Sequence, residues 1–138
     1  MKPYQKSEAV SMQSVVDRVD KPWGHELRFV RTERFAGKVL FIKAGSQLSL
    51  QYHEHKDEAF LVQEGQLELV LGQGAEQRVE ILKANDAWRV TPGTVHRFRA
   101  ITDCLLFEVS TPELEDVVRL EDDYGRKGTT DRPSTGGS

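Results

Sequence analysis

The chain has 138 residues, of which 38% are hydrophobic and 30% are charged, and its formal net charge is −3. This length suits one domain, and the slight acidic excess excludes the strongly basic surface of a typical nucleic-acid-binding protein. No apolar run approaches the roughly 20 residues that a membrane-spanning helix needs. A single cysteine, Cys104, excludes an internal disulfide framework, and residues 1–20 lack the apolar core of a secretion signal. We therefore expect a cytoplasmic protein that binds neither nucleic acid nor a membrane.

The N-terminal residues 1–20 are polar, and we interpret them as a loosely attached arm. Beyond them, short runs rich in Val, Leu, Ile and Phe alternate with Gly, Pro, Asn and Asp at a spacing of about 8–12 residues, which is typical of antiparallel sandwiches and barrels. The predicted strands are Leu27–Phe35, Lys38–Lys43, Leu48–His53, Glu58–Gln63, Gln66–Leu71, Gln77–Leu82, Ala87–Thr91, Val95–Ile101 and Leu105–Ser110.

The last predicted strand is followed by a segment of different composition. Thr111-Pro112-Glu113 predicts a short helical turn, because a hydroxyl residue precedes a proline at the first helical position. The acidic segment from Glu113 to Asp123 predicts a solvated extension. Residues 127–138 are rich in Gly, Ser, Thr and Pro and predict a disordered tail. The expected organisation is an arm over 1–20, a barrel with its C-terminal extension over 21–126, and a tail over 127–138.

Three of the four histidines fall in two short segments. Side chains alternate between the two faces of a strand, so His53 and His55 would share a face with Gln51. Lys56-Asp57 would then turn the chain and bring Glu58 back beside them. His96 follows a Pro-Gly turn at the start of a later strand and could supply a third imidazole from across the barrel.

The predicted metal ligands are therefore His53, His55, Glu58 and His96. Three imidazoles and one carboxylate favour Mn, Fe, Zn, Ni or Co over Ca or Mg, and they leave coordination positions open for a small-molecule substrate.

Other residues are candidates for the surrounding pocket. Lys43, Lys56 and Arg89 could hold a substrate phosphate, although strand parity does not decide which of them faces inward. Trp23 either closes one end of the barrel or lines a ligand pocket. Glu108, on the last predicted strand, is a possible acid–base residue.

The pattern His53-X-His55, Glu58 and Gly65, together with the ending Pro-Gly-X-X-His96, resembles the two motifs of the cupin superfamily. The resemblance spans about residues 21–110. It implies an all-β fold, an antiparallel double-sheet jelly-roll barrel that holds one divalent metal.

A narrower resemblance rests on Pro22-Trp23-Gly24, the run Leu48-Ser-Leu-Gln-Tyr-His53, and the two-residue gap before Glu58. These features resemble the cupin domain of type II phosphomannose isomerases. The resemblance implies that Gln51 lines the pocket and that a sugar binds over the metal.

The function implied is metal-dependent isomerisation or epimerisation of a sugar or sugar phosphate. Two alternatives stay open at this point: an Fe-dependent dioxygenase, because three histidines and one glutamate also suit O₂ chemistry, and a non-catalytic sugar-binding or sugar-sensing domain. The resemblance further implies a homodimer, in which the arm over residues 1–20 could pack across the partner.

Overall fold

A computed structural model describes residues 11–125 and the backbone of a further strand at 128–130; predictions for residues 1–10 and 131–138 lie outside the described residues. No helix in this part of the chain is long and apolar enough to cross a membrane. A single turn of 3₁₀ helix occupies Gly74–Glu76. The strands are β1 Asp17–Lys21, β2 Gly24–Arg31, β3 Ala36–Ile42, β4 Leu50–Tyr52, β5 Glu58–Glu64, β6 Leu67–Leu71, β7 Arg78–Leu82, β8 Ala87–Val90, β9 His96–Ala100, β10 Cys104–Ser110, β11 Asp116–Glu121 and β12 Gly128–Thr130.

The strands form two six-stranded antiparallel sheets that face each other. Sheet A has the order β1-β2-β3-β10-β5-β8, and sheet B has the order β12-β11-β4-β9-β6-β7. The predicted all-β, antiparallel double-sheet fold is confirmed. Within the described residues no strand of one sheet pairs with a strand of the other, so the predicted barrel is a two-sheet sandwich with open seams.

Alternation along each strand decides which side chains enter the space between the sheets. In β10, Cys104, Leu106 and Glu108 are buried, whereas the intervening residues are partly or fully exposed. Each buried Leu, Val, Ile or Phe contributes about 1.5–3 kcal/mol relative to an exposed one. The apolar core built in this way includes Trp23, Leu40, Ile42, Phe60, Val62, Leu67, Leu69, Val90, Phe98 and Leu106.

The inward-facing rows carry charged side chains at one end of the sandwich. Lys38 in β3, Glu58 in β5 and Glu108 in β10 are all buried. The register places Glu108 opposite Lys38, and it places Ser110, two residues further along β10, opposite Glu58. The space between the sheets is therefore apolar at one end and ionic at the other, and the alternation along β3, β5 and β10 brings the charged side chains together at the ionic end.

Gly24 and Gly65 occupy positions where a Cβ atom would clash with a backbone carbonyl oxygen. Gly24 ends the turn from β1 into β2, and a Cβ atom there would lie 1.9 Å from the carbonyl oxygen of Phe41. Gly65, between β5 and β6, has φ +93°, and its Cβ would lie 2.1 Å from the carbonyl oxygen of Asp103. A side chain is excluded at both positions, which explains why both residues are glycine.

Strands that the sequence analysis did not predict lie near both ends of the described residues. The supposed arm contains β1, which pairs with β2 over five residues. The supposed solvated extension contains β11, which pairs with β4, and the supposed tail contains β12, which pairs with β11. The helical turn predicted at Thr111-Pro112-Glu113 is a bend rather than a helix. The local sequence of β1, β11 and β12 is polar, and these segments are strands because each pairs with a neighbouring strand.

Candidate metal centre

Three side chains meet at the ionic end of the sandwich. His53 follows β4, Glu58 begins β5 and His96 begins β9, and their possible ligand atoms all lie within 4.8 Å of one another. The Oε1 atom of Glu58 lies 2.8 Å from Nε2 of His53 and 3.8 Å from Nε2 of His96. All three side chains are buried.

Backbone carbonyls orient both imidazoles. Nδ1 of His53 donates to the carbonyl oxygen of Asp116, and Nδ1 of His96 donates to that of Thr94 at 2.8 Å. In a neutral imidazole the other nitrogen, Nε2, then carries a lone pair. Burial lowers the pKa of His96, which favours this neutral form. The Nε2 atoms of both rings face the carboxylate of Glu58.

The three converging side chains form a donor set that suits a bound cation. Oε1 of Glu58 is buried and has no hydrogen-bond partner, and the Nε2 atoms of His53 and His96 converge on it. Imidazole nitrogens that are oriented by a hydrogen bond on the opposite side of the ring are the usual ligands of divalent transition metals. The donor set therefore fits a metal such as Mn, Fe, Zn, Ni or Co.

The loop that carries His53 is held from outside by Asp116. The carboxylate of this residue accepts hydrogen bonds from the backbone N–H groups of Glu54, His55 and Lys56, at 3.2, 2.7 and 3.0 Å. Partial burial would raise the pKa of Asp116, but these three hydrogen bonds outweigh it and hold the pKa below its usual value. One residue of β11 thus fixes both the loop backbone and the ring of His53.

The structure does not bring His55 to the group. The predicted sharing of a strand face by His53 and His55 is wrong, because β4 ends at Tyr52 and the alternation ends with it. His55 lies in the following turn with a side chain that is 76% exposed. The buried histidines in the cluster are therefore two, His53 and His96, rather than three.

A chain of alternating charges leads away from Glu58 into the sandwich. Nζ of Lys56 lies 3.8 Å from Glu58 and 3.2 Å from Glu108. Nζ of Lys38 lies 3.6 Å from Glu108 and 3.3 Å from Glu26. Each buried charge in the chain has at least one partner of opposite sign, which offsets the large cost of removing it from water.

The pKa values of Glu58 and Glu108, the two carboxyl groups of this row of charges that lie nearest the histidines, are shifted in opposite directions. Burial by itself would raise the pKa of Glu58, but the positive charge of Lys56 outweighs it and holds the pKa well below the usual value. Burial and the charge of Glu58 raise the pKa of Glu108 to about 7, against the opposing charges of Lys38 and Lys56. One carboxylate is thus kept ionised while its neighbour accepts a proton near neutral pH.

These groups line a cavity of about 40 Å³. Of the predicted pocket residues, Trp23, Gln51 and Glu108 line it, and Gln51 pairs across the strands with His96. Lys43 and Arg89 do not line it; both are exposed, and Arg89 forms an ion pair with Asp57 at 2.7 Å. Lys43 lies just beyond the end of β3 at Ile42. Arg89 lies on the outer face of β8.

Sequence reasoning missed four charged residues of the cavity, Lys21, Glu26, Lys38 and Arg119. It left the orientation of Lys56 undecided, and the structure shows Lys56 buried beside Glu58. A signal existed for Lys38, since it stands in phase with the inward-facing Leu40 and Ile42 of the same strand. No comparable periodicity marks Lys56, which lies in a turn.

Comparison with known protein families gives one match over most of the chain. The family model described as "Mannose-6-phosphate isomerase C-terminal" matches residues 7–122. The xanthan biosynthesis protein XanB of Xanthomonas campestris pv. campestris is 32% identical over 114 residues, which cover 79% of this chain and 24% of that protein. The chain thus spans about a quarter of the length of this relative.

Solved structures share the fold at lower identity. KdgF from Halomonas sp. has a TM-score of 0.64 and 22% identity, with 72% of this chain and 91% of that chain covered. An RmlC-like cupin from Shewanella frigidimarina has a TM-score of 0.63 and 17% identity, with coverages of 76% and 98%. Both likenesses support the cupin architecture.

Proposed function

Because the chain belongs to the mannose-6-phosphate isomerase C-terminal family, we propose that it binds one divalent transition metal and acts on a sugar or sugar phosphate as an aldose–ketose isomerase or epimerase. The metal ligands would be His53, Glu58 and His96, with the amide of Gln51 available in the same cavity. The convergence of the two Nε2 atoms on Oε1 of Glu58, which has no hydrogen-bond partner, is the observation that carries this proposal.

The metal and the side chains of the protein contribute different parts of the proposed reaction. When bound, a divalent metal supplies Lewis-acid stabilisation of negative charge on substrate oxygens. Glu108 supplies the acid–base group: it takes the proton from the carbon next to the carbonyl and returns it to the former carbonyl carbon, while the hydroxyl proton passes between the two oxygens. Lys56 and Lys38, at 3.2 and 3.6 Å, hold the Glu108 carboxyl in place.

The size of the cavity limits how a sugar can bind. Small-molecule pockets usually have volumes of about 300–1,000 Å³, whereas this cavity has about 40 Å³. A hexose therefore requires lining side chains to move, and Leu114, Val117 and Arg119 are the lining residues supplied by the segment after β10. We propose that this segment moves away from the cavity when the substrate binds.

Isomerisation is tested by hydrogen exchange in D₂O. The metal-loaded protein, incubated with a panel of free and phosphorylated hexoses and pentoses, should introduce deuterium at the carbon next to the carbonyl of at least one sugar. Glu108→Gln should reduce that exchange by about 100-fold or more, because a positioned acid–base group contributes a factor of about 10²–10⁴. Mass spectrometry or NMR measures the label.

The matched control is Glu54→Gln, a change of the same kind in the histidine loop at a side chain that is 59% exposed. It should exchange at the wild-type rate. Full exchange by Glu108→Gln would exclude Glu108 as the acid–base group. Absence of exchange with every sugar, in protein that has its metal, would exclude the isomerase and epimerase activities and favour a non-catalytic sugar-binding domain.

We also propose a cytoplasmic location. The lone cysteine, Cys104, is a buried free thiol, which suits a reducing compartment. Fractionation of cells that express the tagged full chain measures the location directly.

A further inference from the structure

A second cavity lies outside the metal centre, beside β1 and β2. It has a volume of about 490 Å³, which falls in the range of about 300–1,000 Å³ that is usual for small-molecule sites. Residues 14–15, which precede β1, line it together with residues of β1 and β2 and with Leu114. We call it the arginine cavity, because Arg18, Arg28 and Arg31 all line it.

Arg28 is the buried member of this group. Its side chain is 8% exposed, and its Nε atom donates to the carboxylate of Glu26 at 3.1 Å. Its Nη2 atom is buried and has no hydrogen-bond partner within the described part of the chain. Removing a charged donor from water without a partner is costly. An oxyanion in the cavity would supply an acceptor, since a guanidinium binds phosphate and carboxylate oxygens through paired N–H donors.

The pairing of Arg28 inside the protein is incomplete. The carboxylate of Glu26 also accepts a hydrogen bond from Nζ of Lys38 at 3.3 Å. One carboxylate therefore serves two buried cations. This leaves Arg28 with a donor and part of its charge available to a ligand.

The other two arginines have carboxylate partners, but these partners do not line the cavity. Arg31 donates to Glu115 at 3.0 and 2.9 Å, and Arg18 donates to Asp20 at 2.9 Å. Among the described lining residues Asp17 is the one carboxylate. The lining is therefore positively charged on balance, which favours an anionic ligand.

Most of the remaining lining is apolar, and it consists of Val15, Val19, Val30 and Leu114. An inorganic anion would leave these side chains without a contact, whereas an organic anion would bury them. Leu114 also lines the cavity of the metal centre. Two sources therefore fit the oxyanion: a separate small molecule, and a phosphate group on a molecule that is bound over the metal.

We propose that the arginine cavity is a second ligand site, in which Arg28 binds the phosphate or carboxylate of a separate organic anion. Binding there needs neither the metal nor isomerase activity. Its absence and the absence of sugar isomerisation are therefore separate results.

Isothermal titration calorimetry of the full chain tests this proposal, with phenyl phosphate and benzoate as the probes of the two oxyanions. At least one probe should bind at one molecule per chain to protein that has been treated with a chelator and then dialysed. Arg28→Gln should weaken this binding by at least about tenfold, because it removes a charged hydrogen-bond donor. The matched control is Arg78→Gln, which removes an exposed arginine that also pairs with a glutamate two residues away and should bind as the wild type does.

A second pair of variants keeps the test decisive if Arg28→Gln fails to fold, which circular dichroism measures. Val15→Glu adds a negative charge to the lining at a residue that is 80% exposed, and it should weaken binding by charge repulsion. Val16→Glu, at an exposed residue outside the lining, should not. Weaker binding by folded Arg28→Gln or Val15→Glu, with both controls unchanged, supports the proposal.

Three results would overturn the second site. One is that neither probe binds the folded wild type at about 10 mM. Another is undiminished binding by folded Arg28→Gln, or by Val15→Glu where Arg28→Gln does not fold. The third is binding by metal-loaded protein alone, which would assign the oxyanion to a molecule bound over the metal.

Discussion

The ring of His53 is oriented by a residue 63 positions further along the chain. Its Nδ1 atom donates to the carbonyl oxygen of Asp116, which leaves Nε2 to face Glu58. His55, two residues away and equally prominent in the sequence, has no such contact and is mostly exposed. At the scale of single residues, the chemistry of the site therefore depends on what fixes each imidazole and not on the presence of a histidine in the motif.

This difference gives a direct prediction for metal content. His53→Ala and His96→Ala should each lose stoichiometric metal, because each removes one of the two buried histidines proposed as nitrogen ligands. His55→Ala should retain the wild-type content. Plasma-emission analysis after dialysis measures the metal-to-protein ratio; loss of metal in His55→Ala would show that the exposed histidine swings in to bind.

Four residues selected from the sequence, His53, Glu58, His96 and Glu108, line one cavity in the structure. Glu58 and His96 begin strands, and Glu108 is in phase with the buried residues of β10. The predicted strand ends at His53 and the observed β4 ends at Tyr52, so the alternation does not reach His55. β4 pairs through only three residues with β11 and one with β9, and this tertiary pairing has no signature in the local composition.

At the scale of whole elements, β11 closes the site from a part of the chain that composition assigns to solvent. Its segment supplies Asp116 to the histidine loop and the side chains of Leu114 and Val117 to the cavity. Arg97 of β9 donates to the carbonyl oxygens of Leu48 and Glu121, and so ties the far end of β11 to the sheet. Asp116, one of the acidic residues of this segment, therefore holds the histidine loop in place in addition to contributing to the net charge.

The contribution of Asp116 should appear in the dependence of stability on pH. Its pKa in the folded protein lies below its usual value, so the carboxylate adds stability above the unfolded pKa of about 3.9 and loses it as the pH falls through the folded pKa. Asp116→Asn should lower the free energy of unfolding by about 1–2 kcal/mol at pH 7. Urea denaturation at pH 7, 5 and 3.5 should show this difference shrinking only at the lowest pH.

Glu54→Gln serves as the control, because its exposed side chain supports none of the loop hydrogen bonds. It should match the wild-type stability at all three pH values. A constant difference between Asp116→Asn and the wild type down to pH 3.5 would mean that the carboxylate charge does not stabilise the loop.

β1 and β11 were missed for the same physical reason. Both have few apolar residues, and β1 lies at an edge of its sheet while β11 has only the short β12 beyond it. Strands near a sheet edge bury one face against the core and need only one or two apolar side chains, here Val19 in β1 and Val117 in β11. Central strands such as β3, β5 and β10 have the alternating pattern that sequence analysis detects, and all three were predicted.

For the molecule as a whole, metal binding and folding should be linked. The site joins elements of both sheets, β5 from sheet A with β9 and the end of β4 from sheet B. A metal at 100 times its dissociation constant should raise the free energy of unfolding by about 2.7 kcal/mol. Urea denaturation with added metal and with a chelator measures the difference, which His53→Ala should abolish and His55→Ala should keep; equal midpoints for the wild type under both conditions would contradict the linkage.

The distance in sequence between His53 and Asp116 also sets an order of events during synthesis. At about 5–20 residues per second, 63 residues take about 3–13 s to add. Throughout that interval the nascent chain already carries the histidine motif, but the ring of His53 has nothing to orient it and the loop has nothing to hold its backbone. On the proposed function, metal binding by an oriented His53 therefore follows the synthesis of β11 and does not accompany the emergence of the motif itself.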